Sequence, residues 1–151
     1  MKTMVEIREI SSRDDAILKR IQAVWESSVR ATHTFLTEAD IVALRPEVWQ
    51  GAEHIDQLYG FFDDDNALQG FIGVQGKKIE MLFVDAAARG QGIGGKLLRF
   101  ATGTLGANAV DVNEQNGQGA AFYAHMGFEM AGRSALDEQG RPFPILHLEM
   151  R

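Results

Sequence analysis

The run Val84-Asp85-Ala86-Ala87-Ala88-Arg89-Gly90-Gln91-Gly92-Ile93-Gly94-Gly95-Lys96-Leu97-Leu98 constrains this chain more than any other stretch. Before it, Ile79 to Val84 is apolar enough for a buried strand; after it, Ile93, Leu97, Leu98 and Ala101 recur at helical spacing. Glycines at 90, 92, 94 and 95 let the backbone between strand and helix approach a ligand without Cβ interference. The helix start presents unpaired N–H groups and a positive dipole end. Such a loop is expected to bind a phosphate or pyrophosphate.

Three motifs share these glycines. Gly90, Gly92 and Gly95 have the spacing of a dinucleotide fingerprint, but that motif opens directly after a strand, and here five residues separate Val84 from Gly90. Too little chain follows for a full dinucleotide domain. Gly90 to Lys96 spells a P-loop up to its last position, where Leu97 replaces the Ser or Thr that binds magnesium. The third pattern is Arg89-x-x-Gly92-x-Gly94 after the strand Ile79-Glu80-Met81-Leu82-Phe83-Val84. It resembles the pyrophosphate-binding motif of the GNAT family of N-acetyltransferases, which bind acetyl-coenzyme A (acetyl-CoA).

At 151 residues the chain reads as one domain, 1–151, with the 45% hydrophobic and 24% charged content of a soluble globular protein. Its 15 basic and 21 acidic side chains leave a net charge of -6, which argues against nucleic-acid and anionic-membrane binding. Within this acidic chain, Lys77, Lys78, Arg89, Lys96 and Arg99 outnumber Glu80 and Asp85, so the loop lies in a basic island. The absence of cysteine excludes disulfides, thiolate metal sites and a thiol nucleophile. His33, His54, His125 and His147 form no close pair with ligand spacing, so no metal is expected. Met1 to Ile10 is charged and lacks a signal-peptide core, and no run reaches membrane-spanning length; a cytoplasmic location is expected.

Taken in order, Met4 to Ile10 alternates as a half-buried strand. Ser12 with Asp15 starts a capped helix from about Arg13 to Arg30, with Ile17, Ile21, Val24, Trp25 and Ser28 on one face. Ala31 to Leu36 breaks that pattern, and this polar-aromatic link makes His33 and Phe35 candidate acceptor-binding residues. Thr37 caps a second helix, predicted to be interrupted near Pro46. Strands follow at Gln57 to Phe62, Leu68 to Val74 and Ile79 to Val84, with turns at Asp63 to Asn66 and at Lys77. Beyond the loop come a helix from about Gly92 to Thr104 and a strand from Asn108 to Asn113. A short helix capped by Asn116 carries Phe122, Tyr123 and Met126 and ends at Gly127. Strands Phe128 to Ala135 and Phe143 to Met150 finish the chain, with Asp137 to Gly140 as the turn and Pro142 at the start of the last strand.

This order is α+β, with α-β-α layers. It is also the GNAT order: a mixed, mostly antiparallel sheet of about seven strands with about four helices. The segment Val112-Asn113-Glu114-Gln115-Asn116, then Ala120-Ala121-Phe122-Tyr123 and Gly127-Phe128, resembles the second conserved stretch of the family. The likeness covers nearly the whole chain. It is closest to the bacterial YjaB-type branch, which is associated with lysine acetylation of proteins, in Ala31 to Leu36, Val112 to Asn116 and Gly132 to Pro142.

The resemblance implies an acetyl-CoA-dependent N-acetyltransferase acting by direct attack of a primary amine: a protein lysine, an N-terminus or a small amine. Leu82, Phe83 and Val84 match the strand edge that pairs with the pantetheine arm, with the Val84 N–H polarising the thioester carbonyl. Arg89, Gly90, Gln91, Gly92, Ile93, Gly94, Gly95 and Lys96 match the pyrophosphate loop. Asn116 matches the residue that contacts pantetheine, and Tyr123 the general acid that protonates the thiolate. The base stays open between Asp111, at a position that carries it in some relatives, and Glu80, read as in phase with Leu82 and Val84; His33 is a third candidate. A non-catalytic acyl-CoA sensor and a nucleotide-binding protein are the rival functions. The sensor needs no Tyr123, and Leu97 speaks against the nucleotide. The assembly is expected to be a monomer or homodimer.

Overall fold

Helix α1 (Asp15–Thr32) starts where Asp14 accepts the Ile17 amide at 3.0 Å, and its residues Leu18, Ile21, Val24, Trp25 and Val29 are buried. The computed structural model describes residues 6–151. Asp14, rather than the expected Ser12, is the N-cap, because its carboxylate satisfies a first-turn amide and complements the positive helix end. Helix α2 (Glu38–His54) opens with a reciprocal capping box: Thr37 Oγ1 accepts from the Asp40 amide at 3.1 Å, and Asp40 accepts from the Thr37 amide at 2.9 Å. Pro46 does not interrupt it. The carbonyl deprived of a partner belongs to Val42, on the exposed side, and Gln22 of α1 braces the Arg45 carbonyl at 2.9 Å.

The strands are β1 (Glu6–Glu9), β2 (Gln57–Phe62), β3 (Leu68–Gln75), β4 (Lys78–Val84), β5 (Ala109–Asn113), β6 (Phe128–Ser134) and β7 (Ile145–Met150). Met4 and Val5 of the expected first strand lie outside the described residues. Between the strands run α3 (Ile93–Gly103) and α4 (Gly117–His125). One seven-stranded sheet has the order β1-β2-β3-β4-β5-β7-β6, antiparallel except for β4 and β5. Strand β7 begins at Ile145, not Phe143. Pro144 has no N–H for the ladder, its carbonyl accepts the Glu114 amide, and Phe143 stacks 5.8 Å from Phe35.

Helices cover both faces of the sheet. On one face, Leu97, Leu98 and Ala101 of α3 and Tyr123 of α4 pack with Ile72, Ile79, Val110 and Phe128. On the other, Leu18, Ile21, Val24 and Trp25 of α1 and Ile41 of α2 pack with Leu58, Leu68 and Phe71. The layering is α-β-α, as the family resemblance implies, and β3 is buried on both of its faces. No described helix is long and apolar enough to cross a membrane.

Candidate active site

The parallel neighbours β4 and β5 pair only at Lys78↔Ala109 and Ile79↔Val110 among the described residues. Past this point the strands separate. A bulge lies at the same place: Gly73 opposes Met81 and Val74 opposes Ile79, so Glu80 has no partner on β3. The extra residue changes the phase of the strand. Ile79, Leu82 and Val84 pack toward α3 and α4, while Met81 and Phe83 pack toward α1 and α2. Simple alternation breaks at the bulge, so the phase of Glu80 does not follow from that of Leu82 and Val84.

The separation opens a cleft of about 430 Å³. One wall is the free edge of β4. The Asp85 amide donates to Gln69 on the β3 side at 2.8 Å, so strand alternation turns the Leu82 and Val84 amides toward the cleft. At its end, α3 begins after Gly92, whose φ of 76° sits in the left-handed region, as does that of Gly90 at 81°. Lys96 N makes the first helical bond, to the Gly92 carbonyl, which leaves the amides of Ile93, Gly94 and Gly95 at an open helix start. Arg89 ties this loop to α4 through Gln118 at 2.9 Å.

The opposite wall is the β5–α4 junction. Asn116 caps α4 by accepting the Gly119 amide at 3.0 Å through Oδ1, which turns Nδ2 toward His33 Nε2 at 3.5 Å. A Cβ at position 119 would lie 2.4 Å from that amide group and would push the Asn116 side chain from this position. With Nε2 facing a donor, the neutral His33 carries its proton on Nδ1 and donates to Thr32 Oγ1 at 2.8 Å. Burial pushes the His33 imidazole down to about 4, so the ring is neutral at physiological pH. Tyr123 is wedged between Phe122 and Phe128, at ring distances of 5.2 and 5.6 Å. Its hydroxyl bonds to no described residue, and burial raises its pKa, keeping it a protonated donor.

A second cleft, of about 540 Å³, lies on the α1 and α2 side. Its walls are Trp25, Leu44, Val48, Ile55, Met81 and Phe83, and its polar groups include Glu47, Glu80 and Glu138. Glu80, Met81 and Phe83 line both clefts. Burial raises the Glu80 pKa, Lys78 opposes that, and no described residue donates it a hydrogen bond. Asp111 differs. Burial pushes its pKa up, but Lys78 at 2.8 Å and His147 at 2.7 Å outweigh that and hold it below the usual carboxylate value.

A free strand edge, a glycine-opened helix start and a buried phenol thus meet in one cleft. A family model for the acetyltransferase (GNAT) domain matches residues 26–150. The chain belongs to the GNAT acetyltransferase family. YjaB of Salmonella typhimurium, a peptidyl-lysine N-acetyltransferase, is 37% identical to this GNAT domain over 130 residues, covering 86% of this chain and 89% of that protein. The Escherichia coli YjaB is 34% identical over 139 residues, with coverages of 86% and 88%. The solution structure of its apo form superposes with a TM-score of 0.87 at 31% identity, over 97% of each chain. An N-acetyltransferase of Thermoplasma acidophilum, solved in complex with coenzyme A, shares the fold at a TM-score of 0.66 and 21% identity, covering 97% of this chain and 99% of its own.

In this GNAT domain Glu80, Leu82, Phe83, Val84, Arg89, Gly94, Asp111, Asn116, Tyr123 and His33 all line the first cleft. Gly90, Gln91, Gly92, Gly95 and Lys96 lie off the lining; the Ile93 side chain is buried in the core, and the Lys96 ammonium stands 5.7 Å over the Phe61 ring. Phe35 is set back behind His33, at 5.4 Å. Ser28, Thr32, Gln118 and Phe122 line the cleft without having been singled out by sequence. For Ser28 there was a signal: a hydroxyl on the apolar face of α1. The second cleft had none, because its residues come from α1, α2, the α2–β2 link, β3, β4 and the β6–β7 loop.

Proposed function

We propose that this GNAT domain acetylates the side-chain amine of a protein lysine, with acetyl-CoA held in the first cleft and the lysine entering by the second. The observation that carries this reading is Glu80, which lines both clefts on the strand between them. The donor supplies the acetyl group as a thioester. The free Leu82 and Val84 amides and the open start of α3 fit a peptide-like arm that ends in phosphates, which supports the donor site. The apolar walls and acidic rim of the second cleft suit an aliphatic stem with a cationic head. The YjaB relatives, as peptidyl-lysine N-acetyltransferases, point the same way.

A lysine reaches the site protonated, with an ordinary pKa of about 10.4, and must lose that proton before it attacks. Glu80 is assigned as the base, acting through water, because it has no hydrogen-bonded partner and its pKa is raised. Asp111 has both oxygens engaged, by Lys78 and His147. The Val84 amide polarises the carbonyl under attack. Tyr123 gives its proton to the departing sulfur. The test is thiol release from acetyl-CoA with a lysine peptide. Glu80→Gln should lower kcat about 100-fold near neutral pH while coenzyme A still binds. Unchanged turnover would remove Glu80 from the reaction.

A further inference from the structure

Glu80 is useful as a base only while no cation sits on it. The groups that face it are Lys78 on its own strand, Asp111 on β5, Glu138 on the β6–β7 loop, and, across the second cleft, Glu47 and His54 of α2. Glu47 is already paired with Arg141 at 2.6 Å. Lys78 is thus the nearby cation, two residues away on the face opposite Ile79. It forms no ion pair with Glu80: its ammonium lies 2.8 Å from Asp111 Oδ2 and 3.9 Å from Glu138. Asp111 is in turn fixed across three strands. Its Oδ1 accepts His147 Nδ1–H at 2.7 Å, and His147 Nε2 meets Ser134 Oγ at 2.7 Å. A carboxylate offers no proton, so the hydrogen of this bond belongs to His147 Nδ1.

We propose that Asp111 is a positioning residue: anchored by the His147–Ser134 chain, it draws the Lys78 ammonium onto itself and so keeps Glu80 unpaired between the two clefts. The inference rests on Glu80 being the base. Its content is a competition for one ammonium among Asp111, Glu138 and Glu80. Removing the Asp111 charge leaves Glu138, 3.9 Å away, and Glu80 as the carboxylates that act on Lys78. The base then becomes half of an ion pair, and its affinity for a proton falls.

The test compares kcat/KM against pH with a lysine peptide for the wild type, Asp111→Asn, Lys78→Gln and the Asp111→Asn/Lys78→Gln double variant. Carboxyl-carbon NMR titration of Glu80 in each protein gives a readout independent of turnover. Asp111→Asn should move the acid limb and the Glu80 titration down by about one pH unit, with a roughly tenfold lower plateau. The double variant should return both toward wild type, because the competing cation is gone. A loss in Asp111→Asn that the second substitution does not rescue overturns the proposal and makes Asp111 a direct participant. An unmoved Glu80 titration in Asp111→Asn overturns it equally, and does so even if that variant is inactive. Failure of the underlying reading looks different: Glu80→Gln then keeps the wild-type acid limb.

Discussion

Replacing Tyr123 with Phe removes one oxygen from a ring held edge-on by Phe122 and Phe128 and leaves that packing intact. Turnover is therefore expected to fall by about 10²–10⁴ while coenzyme A affinity and melting temperature stay near wild type. Thiol-release kinetics alongside a thermal-shift titration would show it, and equal turnover would strip Tyr123 of the proton-donor role. At this scale the sequence was informative about placement: Asn116 caps α4 as its spacing predicts, and Tyr123 stands with it in the cleft lining. It misled at Glu80. Whether a strand carries an extra residue depends on the partner across the ladder, and Gly73 and Val74 lie on another strand. The Lys78–Asp111–His147–Ser134 chain was equally out of view, since β4, β5, β7 and β6 bring its members together only in the finished sheet.

Among elements, α1 is bound to the segment leading into the glycine loop more tightly than their distance along the chain suggests. Asp85 accepts from Arg20 at 2.9 Å, Ser27 at 3.0 Å and the Ala87 amide at 3.0 Å, while Ser27 Oγ accepts the Ala86 amide. Arg20 also holds the Leu68 carbonyl at 2.7 Å. Burial raises the Asp85 pKa, but these bonds outweigh it, and the net direction is down. A lowered carboxylate stabilises the fold above its ordinary pKa and loses that contribution as pH falls through the lowered value. Asp85→Asn should cost about 1–3 kcal/mol at neutral pH and flatten the acid side of the stability curve. It should also raise KM for acetyl-CoA more than it lowers kcat. Urea melts across pH with donor titrations would test both, and an unaltered KM would argue against loop positioning. Element order and type were legible from periodicity and turn residues. The exceptions, at Pro46 and Pro144, were settled by what the flanking carbonyls and rings could reach in three dimensions.

For the molecule as a whole, His33 links parts that a change in pH can loosen together. Its ring faces Asn116 at the start of α4 and stacks on Phe35, which stacks on Phe143 of the β6–β7 loop. An unfolded histidine takes a proton near pH 6.5, whereas this one resists until about 4. The unfolded state then binds more protons between those values, so stability must fall as pH drops through that window. The loss should approach roughly 3 kcal/mol and shrink in His33→Gln, measured by urea unfolding at pH 7 and 4.5. The same dependence in both proteins would reassign the effect to the carboxylates.

The short β4–β5 pairing has a mechanical meaning as well. Every other pair of neighbouring strands shares four or more registered positions, against two here. The sheet is two stiff fans stitched at one end, and the proposed donor lies along the split. A splint in that place ties the fans together. The acyl donor and the spent thiol carry the same arm, so each splints the split equally well. On that reading acetyl transfer leaves the splint in place, and only its departure leaves the β4–β5 join to its two registered positions.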